Sequence, residues 1–191
     1  PGYNVTGTTD MNPVAKQIDL VKQVIPDAHK VGIIYSSGEV NSQVQVKLAK
    51  AEAKQQGLEV VEKTITNTAE VQQAAQTLTG VDAIFIPTDN TVVAALDSVL
   101  QVAEEKGILT VAGEASSVNN GAALTLGLDY TTLGHQTGEM AVKILKGEAK
   151  PETMPVEAQK TPLLVINPEA AKKQGHPIPA ELLDKADKVV K

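Results

Sequence analysis

Two periods alternate along this chain. Short runs dominated by apolar residues at Lys30–Tyr35, Val81–Ile86, Ile108–Ala112 and Ala122–Leu128 read as buried strands, and Leu58–Ile65 alternates apolar with charged positions as a half-covered one. Between them the spacing changes to that of a helix. One such stretch starts at Asp10-Met11-Asn12-Pro13, which caps it with proline in the first turn, and turns Ile18, Leu20, Val21, Val24 and Ile25 inward. A second runs to Gln56, with Val44, Leu48, Ala49 and Ala51–Ala53 on its apolar faces and Gly57 as its stop. The pattern predicts further helices over Asn67–Leu78, Val92–Lys106 and Thr131–Lys146. After a proline-rich linker over Gly147–Pro162 come a strand at Leu163–Ile166, a short helix capped by Asn167-Pro168, and a C-terminal helix over Ala180–Val190.

Strands alternating with helices over residues 1–112 imply a parallel sheet joined by right-handed crossovers. The expected fold class is therefore α/β, a three-layer α-β-α arrangement of Rossmann-like type. The aliphatic composition suits such a sheet: apolar residues make up 42% of the 191, and the aromatics are Tyr3, Tyr35, Phe85 and Tyr130. No apolar run approaches the roughly 18 residues that would cross a bilayer. All 17 basic residues are lysines, against 23 acids, for a net charge of −6. With no arginine there is no bidentate clamp for a carboxylate or phosphate, and no basic patch for nucleic acid. With no cysteine, thiolate catalysis, disulfides and Cys-based zinc sites are excluded for these residues.

In a parallel sheet the loops after KVGIIY, DAIFIP and ILTVA share the carboxyl edge, where ligands of open α/β sheets bind. That edge gathers Ser36, Ser37, Glu39, Asn41 and Ser42, then Thr88, Asp89, Asn90 and Thr91, then Glu114, Ser116 and Ser117. Serines, asparagines and free N–H groups at helix starts would suit an anion, and Asp89, Glu114 and Asp129 would accept from an ammonium. The expected ligand is a small zwitterion. Each of these residues is also a common helix cap in any protein. Catalysis finds no support: His29, His135 and His176 lie away from these loops, and no nucleophile elbow, phosphate loop or paired-histidine metal motif is present. No cofactor and no metal is expected.

The loops SSGEVNS at 36–42 and PTDNT at 87–91, with LGLDYTTLGHQTGEMAVKILKGE at 126–148 and the closing LLVINPEAAKKQGHPIPAELLDKADKVV, resemble the substrate-binding proteins of ABC importers. The similarity spans essentially the whole chain and lies within the type I periplasmic-binding fold group that includes tryptophan-binding and other aromatic-amino-acid-binding lipoproteins. It implies that residues 1–125 form the C-terminal ligand-binding lobe with a hinge at 1–10. Residues 126–148 would cross to an N-terminal lobe, 149–162 would be a linker, and 163–191 would return. On the order of 100 residues of a preceding lobe would then lie before Pro1, together with a lipoprotein signal. The resemblance further implies an extracytoplasmic, lipid-anchored or periplasmic protein without catalytic activity, whose two lobes close on an amino acid read by the permease. Carried over position by position, the ligand contacts would be Ser37, Glu39, Asn41, Ser42, Asp89, Asn90, Glu114 and Asp129. Relatives often carry serine-aspartate where this chain has Gly113-Glu114. Any stacking surface on this chain would come from Tyr35 or Tyr130. The same fold also serves as the effector domain of transcriptional regulators, and an enzyme of flavodoxin-like or sugar-processing type is the third alternative.

Overall fold

The computed structural model describes residues 2–190. A short strand β1 (Thr8–Thr9) leads into helix α1 (Val14–Val24), which buries Val14, Gln17, Ile18, Leu20, Val21 and Val24. Then come β2 (Lys30–Ser36), α2 (Val40–Gln55), β3 (Glu59–Ile65), a 3-10 turn at Thr68–Glu70 and α3 (Val71–Thr77). Strand β4 (Ala83–Ile86) is wholly buried and is followed by α4 (Asn90–Val93) and α5 (Leu96–Lys106). The chain continues through β5 (Leu109–Ala112), α6 (Ala115–Asn119), β6 (Leu124–Gly127) and α7 (Tyr130–Leu145). It closes with β7 (Glu157–Ala158), β8 (Leu163–Ile166), α8 (Pro168–Lys173), α9 (Ala180–Leu183) and β9 (Lys188–Val189).

Seven strands form one sheet in the order β3-β2-β4-β5-β6-β8-β9. Every pairing is parallel except β6 with β8, where Leu124 faces Ile166 and Gly127 faces Leu163. Two layers cover it. Helices α1, α2, α8 and α9 pack on the face presenting Val31, Ile33, Phe85, Val111 and Ile166. The other face, with Ile34, Ile84, Ile86, Ala112 and Val165, is covered by α3, α5 and α6. The three-layer α-β-α class expected from the sequence is the one found.

Three local expectations are corrected. The helix predicted over Val92–Lys106 is broken, because the Ala95 backbone leaves the helical region (φ −119°, ψ 29°) and its N–H turns back to the Val92 carbonyl at 3.0 Å. The C-terminal helix stops at Leu183, since β8 takes a second neighbour instead. Asp187 accepts the Leu164 N–H at 2.8 Å, and the Val190 N–H donates to the Ile166 carbonyl at 2.8 Å. Helix α2 is turned relative to its apolar pattern: Ser42, Gln45, Val46, Ala49 and Ala53 face in, while Val44 and Leu48 remain exposed. The polar Gln45 is inward because its Oε1 accepts the Thr88 N–H at 3.0 Å.

Outside the main sheet, β1 pairs in parallel with β7, matching Thr8 to Glu157 and Thr9 to Ala158. The Thr8 and Thr137 hydroxyls lie 2.7 Å apart, tying β1 to α7 as well. Helix α7 buries only Leu133 and Met140, leaving Tyr130, Val142 and Leu145 exposed.

Candidate ligand-binding edge

Strands β2 and β4 are neighbours, but α2 after β2 and α4-α5 after β4 leave toward opposite faces. That divergence marks the carboxyl ends of β2 and β4 as the switch point of the sheet, the place where α/β sheets hold ligands. The loops Ser36–Glu39 and Pro87–Asp89 flank it.

Thr88 is the hub. Its N–H donates to Gln45, its carbonyl accepts Asn41 Nδ2 at 2.8 Å, and its hydroxyl accepts Asn12 Nδ2 at 3.0 Å. Glu39 joins the two loops. Its carboxylate accepts Asn90 N at 3.0 Å, Asn90 Nδ2 at 2.9 Å, and both the N–H and the hydroxyl of Thr91 at 3.1 Å. Partial burial pushes this carboxyl up, but the Asn90 and Thr91 N–H groups and the Thr91 and Asn41 side chains together hold it below its usual range. On the far side of Thr88 there is no room for a side chain at Gly113: a Cβ there would lie 2.7 Å from Thr88 N. The third loop is thereby pressed against the second.

The eight expected contact residues separate into groups. Glu39, Asn41 and Asn90 meet in the bonded patch around Thr88. Asp89 is fully buried beneath it, accepting Val92 N at 3.0 Å and Ser36 N at 2.7 Å, so it is scaffold and corrects the expectation of a ligand acceptor. Ser42 is equally buried and faces the interior of α2, which removes it from the surface as well. Ser37 is exposed but leans to the outer strand, its hydroxyl donating to the Ile65 carbonyl at 3.3 Å. Glu114 is partly exposed, with one oxygen accepting the Ser116 hydroxyl at 2.7 Å. Asp129 caps α7, accepting Thr131 N and the Thr132 hydroxyl, and these two bonds hold its carboxyl below the usual range.

The helices entered after β2, β4, β5 and β6 have Glu39, Asp89, Glu114 and Asp129 at their N-cap positions, but only Asp89 and Asp129 accept an N–H of their own helix. The starts of α4 and α7 therefore carry a carboxylate of their own, whereas those of α2 and α6 are not capped by a side chain.

Of the two tyrosines, Tyr130 is the one at this edge. Burial raises its hydroxyl pKa, and the nearby Asp10 and Glu114 carboxylates raise it further. Tyr35 instead lines a groove with Val40, Val44, Lys50 and Glu62, its hydroxyl donating to Glu62.

Sequence reasoning missed three buried polar residues. Asn12 does not cap α1; it reaches Thr88. Gln17 donates to the Gly113 carbonyl at 3.0 Å and the Leu126 carbonyl at 2.9 Å, fastening β5 to β6 at the edge. Gln45 was the third. A glutamine inside an otherwise apolar helical stripe, as in Val14-Gln17-Ile18-Val21, is the signal that could have found Gln17.

The profile of the family described as "ABC transporter substrate binding protein" matches residues 1–190. The chain belongs to this family. A tyrosine-binding protein of Clostridioides difficile (strain R20291) is 40% identical over 173 residues, which cover 90% of this chain and 50% of that protein. The crystal structure of an ABC domain in complex with L-Trp from Streptococcus pneumonia superposes with a TM-score of 0.88 at 35% identity, covering all of this chain and 64% of that one. The ligand-free, open structure of a substrate-binding protein with adhesive properties from Clostridium difficile gives 0.83 at 38% identity over the same shares. The chain thus spans about half the length of the curated tyrosine-binding relative it matches.

Proposed function

We infer that this chain supplies one wall of the ligand site of an extracytoplasmic binding protein that delivers an aromatic amino acid to an ABC permease. The observation that carries the inference is the 40% identity to a tyrosine-binding protein across 90% of the chain. The switch point with its bonded asparagines is the matching geometry.

Residues 1–125 with 163–191 act as a lobe, because β8 and β9 complete the sheet begun by β2–β6. Residues 126–148 carry α7 to a second lobe, which covers its exposed apolar side, and 149–162 lead back. The ligand contacts are Asn41, Asn90, Glu114 and Tyr130, with Ser37 and Asp129 at the rim and Glu39 holding the loops. Closure of the lobes around the amino acid is the signal to the permease.

Calorimetric titration of the full polypeptide against the twenty amino acids tests this. Binding of tyrosine, tryptophan or phenylalanine, weakened at least tenfold by Asn41→Ala, supports it. A response only to a sugar, nucleoside or peptide sinks the ligand assignment.

A further inference from the structure

Helices α1 and α2 lie side by side, and two acids meet between them. Gln56 Nε2, at the end of α2, donates to Asp19 Oδ1 of α1 at 2.8 Å and to Glu52 Oε1 of α2 at 3.0 Å. Carboxylates only accept, so the amide nitrogen has to face them. A single shared nitrogen keeps the two acids in the range where like charges oppose each other's ionisation. Both are partly buried. Elsewhere the chain gives such acids a lysine: Glu59 has Lys30, Glu62 has Lys50 and Glu181 has Lys185. Asp19 and Glu52 have no ion pair among the described residues.

The surroundings do not neutralise the pair. Helix α1 packs on α2, β5 and β6, and these two strands, LTVA and LTLG, bring no titratable group. The cation on this side is Lys16, one turn before Asp19 and lining the same groove as Glu52. Beneath α2, strands β2 and β3 turn Tyr35 and Glu62 to this layer, both clustered with Lys50. Lys30, Glu59 and Lys63 alternate with Val31, Val60 and Glu62, and so lie on the other face. Burial first, then the Glu52 charge and a hydrogen bond shared with Glu52, push the Asp19 carboxyl up; Gln56 and Lys16 pull it down without cancelling that.

We propose that Asp19 and Glu52 form a proton-operated clasp between α1 and α2: with one proton held between them the carboxyls bond to each other and draw the helices together, and with none they repel across the seam. The clasp bears on the candidate site because both helices grip its hub, α1 through Asn12 at its entrance and α2 through Asn41 and Gln45. It does not depend on the ligand reading above. A carboxyl raised in the folded state costs no stability below its unfolded value, about 3.9, and costs it in full above the folded value. Acid therefore tightens the seam.

Asp19→Asn is the test, since its amide donates to Glu52 while its oxygen still accepts Gln56. In thermal unfolding of the chain at pH 8 the variant should melt about 2 °C or more above wild type. The gap should close as pH falls toward the ordinary aspartate value, about 3.9. Glu52→Gln should also raise the midpoint, and the double variant should gain no more than the better single one, which two separate helix-propensity effects would not produce. Carboxyl-carbon NMR of wild type should show the Asp19 step in the Glu52 resonance as well. Additive gains, an Asp19→Asn midpoint at or below that of wild type at pH 8, or a Glu52 resonance blind to the Asp19 step would each overturn the clasp.

Discussion

Glu39 caps a helix that is not its own. It stands at the N-cap of α2 without capping it, and its carboxylate instead takes the Asn90 and Thr91 N–H groups that begin α4, at 3.0 and 3.1 Å. One side chain thus welds the two loops at the switch point.

The weld should titrate. The Glu39 carboxyl is held below its ordinary value in the folded state, so its contribution is fully present above the unfolded value, about 4.3. It is lost as pH falls through the folded value. Urea denaturation at pH 7 should show Glu39→Gln about 1 kcal/mol less stable than wild type, the usual cost of a lost cap. That gap should close in acid, below the ordinary carboxylate range, as the wild-type carboxyl protonates. A gap that is the same at both pH values would show that the charge is not what holds the loops.

Asp89→Ala should be the most damaging change among the acids of the edge. Its carboxylate is fully buried and joins Ser36 N to Val92 N, so truncation leaves two enclosed N–H groups without an acceptor. At about 1–3 kcal/mol for each unsatisfied group, the loss should reach several kcal/mol. The thermal midpoint should fall by about 2–4 °C per kcal/mol in a chain of this size. Differential scanning calorimetry measures it, and a shift under about 2 °C would contradict the scaffold role.

Gly32 and Gly113 make a controlled pair. A Cβ would lie 2.7 Å from Leu78 Cδ1 at Gly32 and 2.7 Å from Thr88 N at Gly113. At Gly32 the contact is with a side chain, which can shift within the core, whereas the backbone at Thr88 cannot yield without moving the hub. Gly113→Ala should therefore cost about 2–3 kcal/mol and Gly32→Ala about 1 kcal/mol, by denaturant titration. The reverse order would mean that the second and third loops are not held against each other.

Helix α7 should betray its uncovered side. Leu145 is 86% exposed and Val142 47%, so the 191-residue chain should bind a hydrophobic dye. Leu145→Lys with Val142→Lys should abolish most of that signal without lowering the thermal midpoint. Dye binding that persists in the double variant would place the apolar surface elsewhere.

Strand runs such as AIFI and LTVA, the stop at Gly57, and the shared carboxyl edge were legible because period and turn chemistry are local properties. So was the cap at Asn167. Asp89 shows where locality ends. Its type and position marked both a cap and a ligand contact, and only its packing against Ser36, 53 residues away in sequence, decides between them. Glu39 and Gln45 likewise act on residues more than 40 positions distant, which no window of the sequence reveals. The C-terminal strand was invisible for the same reason: Lys188–Val189 is a strand only because β8 presents an open side.

The pairing of β1 with β7 has a mechanical side. A lone segment leaving a domain can swivel about each of its single bonds. Here two segments run side by side, joined between Gly7 and Glu157 and pinned by Thr6 to the Met154 carbonyl, although nearly 150 residues separate them along the chain. Two coupled straps resist torsion and yield mainly by bending across their common width. Three residues beyond Thr9 the first strap reaches Asn12, which grips Thr88. The paired straps and the hub at Thr88 are thus joined through Asn12 by a single short run of chain.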